Sequence, residues 1–201
     1  MNNATIRAAK AADAPDISRL VLVSAERFLP AVFGTGIEAA VCILAARRGT
    51  LFSYAHCWIA EAGGSTAGML LGYSGREKAA EDPATGWGLL RTLGFGLVRR
   101  LGRLLVLQRT IGKLKQDEFY VSNVAVYPDF QGRRIGSALL SAAERAASDA
   151  GAARLVLDVE ADNISAVRLY QRRGYAACGA TSPVRAEGHE FSFLRMGKPI
   201  R

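Results

Sequence analysis

The chain has 201 residues, half of them hydrophobic and 22% charged, with a net charge of +8; that length suits one domain with its own core, and that composition excludes a disordered chain. Three cysteines (Cys42, Cys57, Cys178) without metal spacing and two histidines (His56, His189) argue against a disulfide framework and against a zinc set, so no metal is expected. The opening MNNATIRAAKAADAPD lacks the apolar run of a signal peptide, and no stretch reaches the roughly 18 uncharged apolar residues of a spanning helix, so a cytoplasmic setting is expected.

In chain order, a short strand is predicted at Thr5 to Ala8. The stretch APDISRLVLVSAERFL follows, with Ile17, Leu20, Val21 and Ser24 at helical spacing. A second helix is predicted over IEAAVCILAARRG, with Gly49 as its stop. HCWIAEAGGSTAGMLLGYSG reads as two apolar strands joined around Gly63 and Gly64, a hairpin. REKAAEDPATG is polar and predicts a loop.

Between Gly86 and Gln116 lie seven basic residues (Arg91, Arg99, Arg100, Arg103, Arg109, Lys113, Lys115) and no acidic one. Leu90, Leu93, Leu97, Leu101 and Leu104 line one side of a helix there, and Arg99, Arg100 and Arg103 gather on another, although Phe95 and Val106 blur the division. The charge is therefore local, and it makes residues 76–116 a basic helical insertion. Three roles suit it: a lid on an acceptor site, a docking face for a second copy in a homodimer, or an Arg face resting on anionic lipid or nucleic acid. The imperfect faces rank the first two above the third.

After the insertion, EFYVSNVAV (118–126) is β-branched and aromatic enough for a strand, and IGSALLSAAERAASDA has apolar or small residues at helical spacing before Gly151. ARLVLDVEADN gives another strand, SAVRLYQRRGY a short helix stopped by Gly174, and GYAACGA and EFSFLRMGK two closing strands. This order predicts a mixed α/β sheet. Between the strand and the long helix stands YPDFQGRRIGSALL. A strand feeding a Gly- and Arg-rich turn at the mouth of a helix aims free backbone N–H groups and the positive end of a dipole at one point, which attracts phosphate. The same turn also occurs as a plain connector, and it is neither a Walker motif nor the dinucleotide fingerprint.

The later NISAVRLYQRRGY decides between these. Together with NVAV…QGRRIGSALL it resembles the GNAT-type N-acetyltransferase superfamily, strongly over Glu118 to Tyr175 and more weakly over the hairpin AEAGGSTAGMLLGY. The resemblance implies a mostly antiparallel central sheet flanked by helices, a single N-acetyltransferase domain over 1–201, and acetyl-CoA as cosubstrate. It implies that backbone amides from Gln131 through Gly132, Arg133, Arg134, Ile135, Gly136 and Ser137 grip the pyrophosphate. Val124, Ala125 and Val126 would pair with the pantetheine arm as if it were a strand, in a gap between splayed strands. Asn163 would bond the arm or tie down its loop, as a helix cap does. Tyr170 would protonate the leaving thiolate or hydrogen-bond it.

One departure is Arg134, where the family usually has its middle glycine; an arginine is tolerable there with negative φ and costly with positive φ. For the proton of the acceptor amine, the histone-type branch uses a strand glutamate whose position falls near Tyr120; Glu118 is the nearest substitute, and Ser122 shares its face. Arg133 and Arg134 are candidate phosphate contacts. His56, beside Cys57 and Trp58, reads as structural. The resulting expectation is acetyl transfer to a primary amine, on a small molecule or a peptide, by direct attack in a ternary complex. The alternatives are a degenerate CoA-binding sensor or scaffold, and a basic nucleic-acid or membrane-surface module.

Overall fold

The structure is a computed structural model, and it describes residues 4–94, 114–181 and 183–200. Seven strands form one sheet in the order β1-β2-β3-β4-β5-β9-β6. They are β1 (Thr5–Ala8), β2 (Cys57–Ala62), β3 (Ser65–Ser74), β4 (Glu118–Val126), β5 (Arg154–Glu160), β6 (Ala176–Ala180) and β9 (Phe193–Pro199). A separate two-stranded ribbon pairs β7 (Val184–Ala186) with β8 (His189–Phe191). Within the large sheet only β4 and β5 run parallel. The sequence predicts this mixed, mostly antiparallel architecture, and the hairpin β2–β3 turns at Gly63 and Gly64, both at positive φ.

Helices cover both faces. On one lie α1 (Ala14–Ser24), α2 (Phe28–Phe33) and α3 (Ile37–Ala45), whose Ile17, Leu20, Val21, Ile37 and Val41 bury against Ile59, Met69 and Leu71. On the other lie α5 (Ile135–Asp149) and α6 (Ile164–Arg172); Leu139, Leu140 and Ala143 of α5 meet Leu70, Leu155 and Leu157. Fully burying one leucine of this kind contributes about 1.5–3 kcal/mol, so these two layers supply the main stabilisation of the sheet.

Three sequence expectations change. The stretch 14–29 is two helices rather than one. Pro30 cannot donate to the Glu26 carbonyl one turn back, and the Ser24 hydroxyl bonds the Val21 carbonyl at 2.7 Å, so α1 ends and α2 restarts at Phe28. REKAAEDPATG is not a loop: α4 runs Gly75–Leu93 with Pro83 inside it. Its start is a capping box, in which Ser74 Oγ accepts from Glu77 N at 3.2 Å and Glu77 Oε2 accepts from Ser74 N at 2.7 Å. His56 Nε2 lies 2.8 Å from Glu81 Oε2 and the Thr85 hydroxyl accepts from Leu51 N at 2.8 Å, which anchors α4 to the body despite the proline. Finally, EFSFLRMGK divides at Ser192 between the ribbon and the sheet. Within the expected insertion 76–116, Leu90 and Leu93 do pack against the core cluster that includes α3, with Leu93 beside Gly36 at the start of that helix; residues 95–113, with Arg99, Arg100 and Arg103, lie outside the described residues. Among the described residues no helix is long and apolar enough to cross a membrane, and no cluster of metal-ligating side chains occurs.

The edge strand β1 is held by charge as well as by its ladder. Arg7 forms a two-pronged pair with Asp13 (2.7 and 2.9 Å) and a third bond to Glu61 on β2 (2.7 Å). Its guanidinium holds the Asp13 carboxyl below the ordinary range, so this stabilisation is present above an unfolded pKa of about 3.9 and is lost as pH falls through the lower folded value. Asp13→Asn is expected to lose about 2 kcal/mol at neutral pH, with the deficit shrinking towards pH 2. Urea unfolding of both proteins at the two pH values checks it.

Candidate active site

The cleft is made where β4 and β5 part. Their parallel ladder covers only Glu118–Val121 against Arg154–Leu157, yet both strands continue, β4 to Val126 and β5 to Glu160. Among the described residues, β4 from Ser122 onward keeps β3 on one edge and has no strand on the other.

A bulge accompanies the parting. Leu71 faces Asn123 and Gly72 faces Val121, so Ser122 is an extra residue in β4. Gly72 allows this close approach, since a Cβ there would stand 2.8 Å from Phe119 Cε1 and 3.0 Å from the Tyr120 carbonyl oxygen. The bulge also changes the parity of the strand. Phe119 and Val121 face the α5 side before it, and Val124 and Val126 face that side after it. Ser122 and Asn123 are therefore neighbours in the cleft, and the Ser122 hydroxyl donates to Asn123 Oδ1 at 2.9 Å.

The cleft encloses about 340 Å³. Its floor is Ser122, Asn123 and Val124 of β4 with Asp158, Val159 and Glu160 of β5. One wall is the α1–α2 junction, Ser24 to Phe28; the other holds Asn163 and Tyr170 of α6, with Phe193 closing the end. Tyr170 is buried at 8% exposure, and burial pushes its phenol up to about 12. Asn163 caps α6, its Oδ1 accepting from Ala166 N at 3.1 Å; the cap reading of Asn163 and its place in the cleft hold together.

Asp158 and Glu160, both on the cleft floor, were absent from the sequence expectation. The Asp158 carboxylate is 1% exposed and accepts from Tyr120 Oη at 3.1 Å and from Arg195 Nη1 at 3.4 Å. Burial, then the neighbouring Asp158 charge, raises the Tyr120 phenol well above its ordinary value, so it remains the donor in this pair. Burial, then Asp162, raises the Glu160 carboxyl. Their signal was present: alternate residues at the end of a strand leading to Asn163. Glu118 is not brought to the cleft. It accepts from Lys115 N at 3.0 Å and approaches Arg195 at 3.7 Å.

The turn before α5 meets the open end of β4. Gln131 Nε2 donates to the Val126 carbonyl at 3.3 Å, tying turn to strand. The first bond into α5 runs from Ala138 N to the Arg134 carbonyl, so the amides of Ile135, Gly136 and Ser137 have no acceptor within the helix, and no side chain caps them. Gly136 is closely packed, with Leu169 Cδ2 3.3 Å from where a Cβ would lie. Arg133 turns back, bonding the Asp129 carbonyl at 2.9 Å and lying over the Phe130 ring at 5.4 Å. Arg134 has φ 61 and ψ 13, the left-handed conformation. The tolerable case, negative φ, is therefore not the one adopted, and Gly132 at φ 76 is a second positive-φ residue of the turn rather than a substitute for one at 134.

The profile of the acetyltransferase (GNAT) family matches residues 38–175. This chain belongs to the GNAT family. A Bacillus subtilis (strain 168) relative described as uncharacterized N-acetyltransferase YdgE is 38% identical over 61 residues, a match that takes in 30% of this GNAT chain and 39% of that protein's length. An N-acetyltransferase from Staphylococcus aureus Mu50 has the same fold at TM-score 0.71 and 19% identity, with 96% of this chain and 100% of that one covered. A ribosomal-protein-alanine N-acetyltransferase from Brucella melitensis gives TM-score 0.62 at 20% identity, covering 97% and 99%. At these identities the solved structures speak for the fold.

An arginine in the left-handed region carries a steric penalty of about 1 kcal/mol that glycine avoids. Arg134→Gly is therefore expected to stabilise the chain by about 0.5–1 kcal/mol, and Arg134→Val to destabilise it by more than that gain, because β-branching is least compatible with positive φ. Chemical denaturation of the three proteins measures both.

Proposed function

We propose that this chain transfers the acetyl group of acetyl-CoA to a primary amine by direct attack in a ternary complex, without a covalent enzyme intermediate. One observation carries the reading: the unpaired edge of β4 at Ser122 to Val124 and the Tyr170 phenol border the same opening in the sheet, and the turn that leads to the free amides at the head of α5 is tied to the end of that same strand through Gln131 and the Val126 carbonyl.

The residues fit the cosubstrate. Amides of Ile135, Gly136 and Ser137, at the positive end of a fifteen-residue helix, suit a pyrophosphate. Gln131 and Gly132 shape that turn, and the Arg134 guanidinium reaches a phosphate oxygen. Val124, Ala125 and Val126 offer main-chain groups to the amides of the pantetheine arm. A strand N–H there donates to the thioester carbonyl, polarising it for attack. The acceptor side suits a cation in a chain that is otherwise basic, because among the described residues Glu26, Asp158 and Glu160 line it with Arg27 as the one basic residue.

Protons then have named places. The amine gives up its proton to the floor carboxylates, Asp158 held by Tyr120 and Arg195, or Glu160 beside it. Glu118 meets this group only through Arg195, which both carboxylates approach. On the far side Tyr170 donates to the departing sulfur. With its pKa pushed up to about 12, the phenol is neutral at working pH and is a weaker acid than a free thiol, so hydrogen-bond donation to the thiolate is favoured over complete proton transfer.

Steady release of CoA thiol with a panel of amines tests the activity; tight CoA binding without turnover on any amine would support a sensor instead. Tyr170→Phe is expected to lower kcat about 100-fold with CoA affinity nearly unchanged, and unaltered turnover removes it from the mechanism. Asp158→Asn is expected to lower kcat/KM by at least about 100-fold and Glu118→Gln by only a few-fold; the reverse order would return the role to Glu118. Arg134→Gly is expected to weaken CoA binding about tenfold even as it stabilises the fold, since it removes a charge-assisted bond.

A further inference from the structure

We propose that Asn123 is a positioning residue whose bond to Ser24 is a strut, fixing the acceptor-side loop at a set distance from the strand that faces the acyl donor. The inference rests on the cleft being the transferase site described above.

Two walls of the cleft come from segments far apart in the chain. Ser122 to Val124 lie on β4, beside the gap, while Ser24 to Phe28 form the junction after α1. A single chain of hydrogen bonds joins them. The Ser122 hydroxyl donates to Asn123 Oδ1 at 2.9 Å, Asn123 Nδ2 donates to Ser24 Oγ at 2.7 Å, and the Ser24 hydroxyl donates to the Val21 carbonyl at 2.7 Å. Each hydroxyl hydrogen has one acceptor, so the chain runs in one sense from the bulge to the end of the helix.

The far end of the loop is held separately, since Phe28 is buried and meets the Phe191 and Phe193 rings edge-on at 5.2 and 4.9 Å. Between Ser24 and Phe28 the side-chain ties are weaker: Arg27 approaches Asp162 at 3.7 Å, with side chains 60% and 71% exposed, and lies 5.9 Å from the Phe191 ring. A pair that long and that solvated contributes little, whereas a short, partly buried amide–hydroxyl bond holds its geometry. The local backbone ties the junction to its two helices rather than to the strand: Ala25 leaves helical geometry at φ −150 and ψ 49, its N–H donating to the Leu22 carbonyl and its carbonyl accepting from Leu29 N. The position of Ser24 to Glu26 over the cleft therefore follows from Asn123, while Phe28 has its own anchor, and Asn123 is available only because the bulge at Ser122 turns it to this face. Without the strut the donor strand stays paired to β3, so the acceptor wall is the part that moves.

The test uses Asn123→Ala, Ser24→Ala, their double variant and Ser24→Thr in the full chain. Three quantities are measured: amide hydrogen exchange over residues 24–28, steady-state kinetics with an accepted amine, and CoA affinity by calorimetry. Either alanine variant is expected to speed exchange over 24–28 and to raise the amine KM by about tenfold each, with CoA affinity within about twofold of wild type. The double variant is expected to match the worse single one, because both remove the same bond. Ser24→Thr keeps the hydroxyl and is expected to restore exchange and KM. Loss of the wall also admits water: acetate and free CoA thiol form from acetyl-CoA and water without amine, faster in the alanine variants than in wild type.

Unchanged exchange over 24–28, or additive effects in the double variant, overturns the strut. So does a fall in kcat at constant amine KM and constant exchange, which would place Asn123 on the reacting atoms. If the wild-type chain turns over no amine, the transferase reading falls, while exchange and the double variant still decide the strut.

Discussion

Everything at the cleft depends on β4 and β5 pairing for four residues and then separating. A sheet gains by completing its ladders, because each unpaired buried main-chain group is costly. Here Ser122 to Val126 leave one edge unpaired, and the strands stay apart because other contacts fix each one independently. β4 is fully paired to β3 through Val126, β5 is fully paired to β9 through Glu160, and the bulge at Ser122 bends β4 away. The opening is thus a consequence of two complete ladders diverging from a short shared one.

That geometry concentrates polar groups where a sheet would ordinarily bury apolar ones. Asp158, Glu160, Ser122 and Asn123 occupy the floor, and the buried carboxylate among them is answered by Tyr120 and Arg195. Removing one partner from such a buried set usually costs more than the set contributes, since the remaining charge has no water to return to. The arrangement is therefore more an investment in a defined site than in stability, and the surrounding leucine layers supply the latter.

Much of the fold was legible because it is periodic. The β2–β3 hairpin, β4, α5 and the order of elements follow from alternation, helical spacing and the glycines that end each run. The motif pair around QGRRIG and NISAVRLY located the head of α5, Asn163 and Tyr170. What escaped was non-periodic. A bulge leaves no mark in EFYVSNVAV, so Glu118, Tyr120 and Ser122 looked like one face, and Asn123 like the other. Glu118 is turned towards Lys115 and Arg195, away from the cleft. Asp158 and Glu160 lay in plain view, but only the parting of the strands makes that end of β5 a floor. REKAAEDPATG reads as a loop on polarity, although Ser74 and Glu77 spell a capping box in the sequence.

The last strand in chain order, β9, lies inside the sheet between β5 and β6. Until residues 193–199 arrive, β5 has a partner on one side only, and that partner covers four residues. Strand β5 and the floor it provides therefore depend on β9 for most of their pairing, whereas the meander β1–β4 needs nothing beyond Val126 to form its own ladders. A chain without β9 would hold half a cleft, its donor strand still laddered to β3 and the carboxylates opposite it left without theirs.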